Sequence, residues 1–231
     1  MLKTVFMDID DTILDFQRAE ACALRKTLSQ LQVPADDAVA ARYSAINAAL
    51  WRQLEEGTVT REYVLTHRFV QLFAELGIER PAWKARDLYE HLLGEQCFLI
   101  PGALETLRTL SLDYDVYLAS NGVAEVKDRC IARAGIAPYI KGMFISQRIG
   151  YHKPDPAFFE ACFSEIPGFS RKTAIIVGDS LTSDIRGGIL SGIRTCWYNP
   201  TGKPGRGDIL PDYTVSRLEE LPPLFAAIHT Q

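Results

Sequence analysis

Long apolar runs are missing from this chain. None reaches the roughly 18 residues that would cross a bilayer, and Asp8, Asp10 and Asp11 break the N-terminal stretch where a secretory leader would need its apolar core. No C-x-x-C pair occurs. The five cysteines, Cys22, Cys97, Cys130, Cys162 and Cys196, are odd in number and widely spread. That argues against a disulfide framework and against a cysteine-ligated zinc site, and for small apolar residues in a reducing compartment. A cationic excess is also lacking, with 25 Lys and Arg against 29 Asp and Glu, a net charge of −4. Proteins that hold a nucleic-acid backbone over many phosphates carry such an excess, so no nucleic-acid partner is expected. A small anionic substrate stays open, because a local site can be cationic on an acidic chain. There is no internal repeat and no low-complexity tract. These absences leave a cytoplasmic protein without membrane contact, monomeric or homodimeric.

The chain has 231 residues, 47% hydrophobic and 23% charged. That is ample for a packed core and too apolar for disorder. At about 150 residues per domain the length suits one domain with an insertion. Short β-branched or aromatic runs predict buried strands over Thr4–Met7, Val116–Ala119, Met143–Ile145, Ala174–Val177 and Thr195–Tyr198. Helical patterns lie between them. One spans Val123–Ala134 and is closed by Gly135; another starts at Asp155 with Pro156 in its first position. Strands alternating with helices predict an α/β fold, a doubly wound parallel sheet with ligands at the strands' carboxyl ends.

From Asp15 to Pro101 no strand is expected. Leu24, Leu28 and Leu31 share a helical face, as do Tyr43, Ile46, Leu50 and Leu54. So do Leu65, Phe69, Leu72 and Leu76, ahead of Gly77, and a fourth helix after Pro81 would use Trp83, Leu88 and Leu92. The expected division is a catalytic core of residues 1–15 and 96–231, with residues 16–95 as a helical cap over the end of the first strand. Trp51 and Trp83 read as bundle core. Arg42, Arg52, Arg61 and Arg68 read as a solvated helical face. Phe16 reads as hinge packing or as a stacking surface for a base.

The first strand runs into Asp8-Ile9-Asp10-Asp11-Thr12, and the strand ending at Val177 runs into Gly178-Asp179-Ser180-Leu181-Thr182-Ser183-Asp184. Two carboxylates about 4 Å apart repel by roughly 4 kcal/mol at an effective dielectric near 20. A shared proton, a cation or a metal must offset that. If the two strands are neighbours, Asp8, Asp10, Asp179 and Asp184 converge, and an all-oxygen site of that kind suits Mg²⁺. An EF-hand is excluded, because Ile13 and Ala19 fall where its Gly and Glu belong. Ser120-Asn121-Gly122 ahead of a helix offers an anion site. Lys153, in Lys153-Pro154, could neutralise phosphate oxygens. The Gly178–Leu181 tetrapeptide also spells a serine-esterase signature, but no histidine has an aspartate three positions earlier, so that reading fails.

In order, Asp8-x-Asp10-x-Thr12, Ser120-Asn121, Lys153-Pro154 and Gly178-Asp179 with Asp184 resemble the haloacid dehalogenase superfamily of phosphohydrolases. The helical segment after the first motif resembles that superfamily's first-type cap. Stretches such as Asn121-Gly122-Val123 and Thr195–Pro200 look similar to its pyrimidine 5′-nucleotidase group. The resemblance implies a phosphomonoesterase in which Asp8 is the nucleophile and Asp10 the general acid and base, kept neutral by crowding among carboxylates. It further implies Mg²⁺ held by Asp8, the Asp10 carbonyl and Asp179, with Asp184 behind them. Asp11, Ser120, Asn121 and Lys153 would bind phosphate, and Thr12 would order the loop. The partner implied is a small phosphorylated metabolite, a nucleotide in the narrowest version. A phosphatase of sugar phosphates or of phosphoglycolate is the alternative, and a dehalogenase a weaker one, since Asp10 would have no leaving alkoxide to protonate.

Overall fold

The structure, a computed structural model, describes residues 1–229. Six strands form one parallel sheet: β1 (Thr4–Met7), β2 (Asp115–Ser120), β3 (Gly142–Ile145), β4 (Ala174–Gly178), β5 (Arg194–Tyr198) and β6 (Tyr213–Val215). Their order is β3-β2-β1-β4-β5-β6. β1 is central, with Met7 level with Leu118 on β2 and with Val177 on β4. Side chains alternate across it: Val5 and Met7 join one core cluster, and Phe6 joins another with Phe158, Phe163 and Ile176. Both faces are therefore buried, which explains the uninterrupted apolar runs.

Helices α1 (Phe16–Gln30), α2 (Asp37–Glu55), α3 (Arg61–Glu75) and α4 (Ala82–Leu93) lie between β1 and β2. The side chains of Asp15, Asp36 and Thr60 cap the first three, accepting from Arg18 N at 2.9 Å, Val39 N at 2.8 Å and Tyr63 N at 3.2 Å. α1 packs on α4, and α3 packs on both α2 and α4, around Tyr43, Phe69 and Tyr89. The two linkers to the sheet are tied together. Asp15 N donates to Phe98 O, and Ile100 N donates to Ile13 O, both at 2.9 Å. The remaining helices are α5 (Ala103–Asp113), α6 (Ala124–Ala134), α7 (Ser146–Ile149), α8 (Pro156–Ser164), α9 (Arg186–Leu190) and α10 (Leu221–His229). Asp155 caps α8, accepting from Ala157 N at 2.9 Å. No described helix is long and apolar enough to cross a membrane, and all five cysteines are free.

Three expectations need correction. Trp83 is 54% exposed. It lies two positions from Ala85, about 200° round the helix from the buried face of α4. Arg68 is the reverse, 2% exposed. It stands three residues after Leu65 and four before Leu72, so the apolar stripe of α3 carries it inward, where Glu90 meets its charge. Arg61 is half-buried and donates to Ser146 Oγ. Arg42 and Arg52 are exposed as expected.

Candidate active site

Three loops that leave the carboxyl ends of β1, β2 and β4 meet at one buried lysine. Lys153 is 1% exposed. Its Nζ donates to Asp8 Oδ1 at 2.6 Å, Asp184 Oδ1 at 2.6 Å and Ala119 O at 2.7 Å. Asn121 fixes the same residue through its backbone: its Oδ1 accepts from Lys153 N and its Nδ2 donates to Lys153 O, both at 2.8 Å. The second Asp184 oxygen accepts from Ser180 N at 3.1 Å. Gly178 makes this possible, since a Cβ there would collide with the Asp184 carboxylate. Residues Leu181–Ile185 form one π-helical turn, a form common at functional sites. Asp179 is pinned from both sides, its N–H on Thr12 Oγ1 at 3.1 Å and its carbonyl on Trp197 Nε1 at 2.9 Å.

One carboxylate oxygen each from Asp8, Asp179 and Asp184 lies within 4.8 Å of the other two. Lys153 alone answers both Asp8 and Asp184, and Asp179 has only the exposed Lys203, 3.9 Å from its Oδ2, so the acids outnumber the cations at close range. Burial, reinforced by Asp184 and Asp10 against the pull of Lys153, pushes Asp8 up to about 7. Burial, then Asp8, Asp184 and Asp11, pushes Asp179 up to about 8. A divalent cation with a preference for oxygen fits this donor set in charge and in chemistry.

Asp10 has a partner that the sequence reading did not foresee: Lys127 of α6 forms an ion pair with it. Lys127 is 4% exposed. A Cβ on Gly122 would collide with its side chain, so that glycine gives it room. Sequence reasoning missed Lys127. The available signal was its place among Val126, Cys130 and Ile131, all buried on α6. Asp11 has its N–H on Leu14 O at 2.7 Å, and its carboxylate accepts from Phe16 N and Gln17 N at the start of α1, at 3.0 and 3.2 Å. Ser120 is fully buried, its hydroxyl accepting from Gly122 N at 3.1 Å. Neither Asp11 nor Ser120 lines the cavity described next.

That cavity, about 190 Å³, is shared by core and insert. Asp8, Asp10, Asn121, Lys127, Lys153 and Asp179 line it from the core. Phe16, Trp51, Glu55, Leu65, Arg68, Glu90 and Leu93 line it from the insert. The insert is fastened down beside it. Thr182 Oγ1 donates to Glu55 Oε2, and His152 Nε2 pairs with Leu54 O, both at 2.9 Å.

Residues 2–192 match the family of haloacid dehalogenase-like hydrolases. The chain belongs to that family. It is 41% identical to the HAD-hydrolase YfnB of Bacillus subtilis strain 168 over 95% of this chain and 93% of that one. It is 35% identical to the pyrimidine 5′-nucleotidase PynA of Streptococcus pneumoniae over the same shares. Its identity to the pyrimidine 5′-nucleotidase YjjG of Escherichia coli is 27%, over 94% and 95%. The crystal structure of YfnB bound to magnesium superposes with a TM-score of 0.93 at 40% identity, covering 96% of this chain and 98% of that one. The ordered acid motifs and the helical insert of this haloacid dehalogenase-like hydrolase thus belong to a shared fold.

Proposed function

We propose that this hydrolase is a Mg²⁺-dependent phosphomonoesterase that cleaves pyrimidine nucleoside 5′-monophosphates through an aspartyl-phosphate on Asp8. The observation that carries the reading is the cluster of Asp8, Asp179 and Asp184, with Asp8 and Asp184 buried on Lys153, opening into a cavity whose other lining comes from the insert. The names of PynA and YjjG support the nucleotide half of it.

The residues present account for each step. Lys153 holds one Asp8 oxygen, which leaves the other to form the bond to phosphorus as the ester oxygen departs. Asp10 protonates that oxygen, then takes a proton from the water that opens the acyl phosphate. Lys127 faces Asp10 and the cavity. An arriving phosphate dianion would share that ammonium with Asp10. Asn121 keeps Lys153 in place through two backbone hydrogen bonds. Asp8, Asp179 and the Asp10 carbonyl would hold Mg²⁺, with Asp184 behind; when bound, the ion supplies charge against the phosphoryl oxygens. The helical insert serves as the cap that closes the cavity over the leaving group.

The test is a panel of pyrimidine and purine monophosphates, sugar phosphates and phosphoglycolate, assayed with Mg²⁺ and with EDTA. Hydrolysis that needs Mg²⁺ and favours pyrimidine monophosphates is expected. Equal rates on unrelated phosphates would remove the nucleotide assignment, and full activity in EDTA would remove the metal.

A further inference from the structure

We propose that Arg68 and Glu90 form the polar end of a base-reading subsite that takes the donor–acceptor edge of a pyrimidine ring. This rests on the nucleotide reading above and names the residues that would impose it. Both side chains line the same cavity as Asp8, yet neither belongs to the acid cluster. A buried arginine inside an insert needs a reason, and packing alone does not supply one.

The hydrogen-bond inventory points to a ligand. Arg68 is 2% exposed and lies against the Tyr89 ring, 4.6 Å from its centroid. Its Nε donates to Leu65 O at 3.2 Å, its Nη1 to Asn47 Oδ1 at 3.3 Å and its Nη2 to Glu90 Oε1. A guanidinium has five N–H groups, so two remain without a partner among the described residues. Glu90 Oε2 is buried and has no hydrogen-bond partner there either. A buried carboxylate oxygen without a donor is costly, and native structures rarely tolerate one without a use for it.

What the pair lacks is an N–H donor for Glu90 Oε2 beside acceptor lone pairs for the two remaining Arg68 N–H groups. The N3–H and adjacent carbonyl of uracil or thymine supply both, as do the amino group and N3 of cytosine. Phe16, Trp51, Leu65 and Leu93 give the same cavity aromatic and aliphatic walls, which suit a flat ring better than a hydroxylated chain. The carboxylate of phosphoglycolate would face Glu90 with like charge. The apolar walls and the paired polar edge therefore select for a heterocycle rather than a bare sugar or acid.

The experiment compares uridine 5′-monophosphate, its N3-methyl derivative and ribose 5-phosphate on the wild-type enzyme and on Glu90→Gln, with Mg²⁺ present. Methylation at N3 removes the donor that Glu90 needs. A lost hydrogen bond to a charged group predicts a fall in wild-type kcat/KM of about 10- to 100-fold, carried mainly by KM. Glu90→Gln should lower the preference for uridine monophosphate over ribose 5-phosphate by a similar factor, and methylation should cost this variant far less. Wild-type enzyme that treats the methylated and parent nucleotides alike would overturn the subsite, and that measurement needs no variant to fold. So would a Glu90→Gln enzyme whose nucleotide preference is unchanged. Wild-type enzyme with no preference for the nucleotide over ribose 5-phosphate would instead sink the nucleotidase reading, and this inference with it.

Discussion

Without a divalent cation the folded chain should lose stability as the pH rises through neutrality. In the folded state Asp8 lies at about 7 and Asp179 at about 8, against an ordinary 3.8. Between those limits the folded chain keeps protons that the unfolded chain has already released. The stabilisation is therefore complete below the unfolded value and is lost as the pH climbs through the folded ones. Each retained proton contributes a slope of about 1.4 kcal/mol per pH unit, so near pH 6 one unit costs on the order of 1–3 kcal/mol for the two acids. At about 2–4 °C per kcal/mol for a chain of this size, the melting temperature should drop by roughly 2–12 °C per pH unit. If the proposed site takes Mg²⁺ on the ionised carboxylates, excess Mg²⁺ removes this contribution. The assay is thermal denaturation from about pH 5.5 to about 7.5, run in EDTA and in excess Mg²⁺. The gap between the two curves should widen with pH, and in EDTA alone Asp179→Asn should reduce the fall of the melting temperature with pH by about half, since one of the two acids is gone. A gap that stays constant, or narrows toward alkaline pH, would refute the account of these buried acids.

Three further outcomes are expected. Asp8→Asn should abolish turnover and keep the fold, because it is isosteric and leaves Lys153 its partner Asp184; measurable activity would refute the nucleophile. Lys153→Met should leave Asp8 and Asp184 buried without their shared cation, a loss of about 3–5 kcal/mol, and chemical denaturation that shows less than about 1 kcal/mol would contradict the geometry. Gly178→Ala should displace Asp184 and cost about 1–3 kcal/mol by overpacking; a weaker Mg²⁺ response in titration calorimetry should accompany it, and an unaltered response would contradict the close approach at that glycine.

Much of the molecule was legible because its signals are local. The β1, β2 and β4 runs are apolar without alternation, since both sheet faces are covered, and each of them ends in polar residues of the site. The helical stripes of the insert follow from period alone. What escaped was set by partners distant in sequence. Arg68 looked like a solvated cation because nothing local announces Glu90, 22 positions away on another helix. Lys127 escaped similarly, its partner Asp10 lying 117 positions earlier. Strand β6 is three residues long beyond a Gly- and Pro-rich loop, and pairing with β5 rather than its own composition makes it a strand. Trp83 misled by composition, where the helical angle from Ala85 was the better guide.

The paired linkers at Asp15 and Phe98 carry an evolutionary consequence. Chain departs from the sheet and returns to it at a single place, so the sheet is indifferent to what is spliced in between. Helices can be exchanged, lengthened or reshaped there without disturbing the acids at the ends of the strands. A lineage built this way diversifies its diet by editing one insertion while its reaction stays fixed.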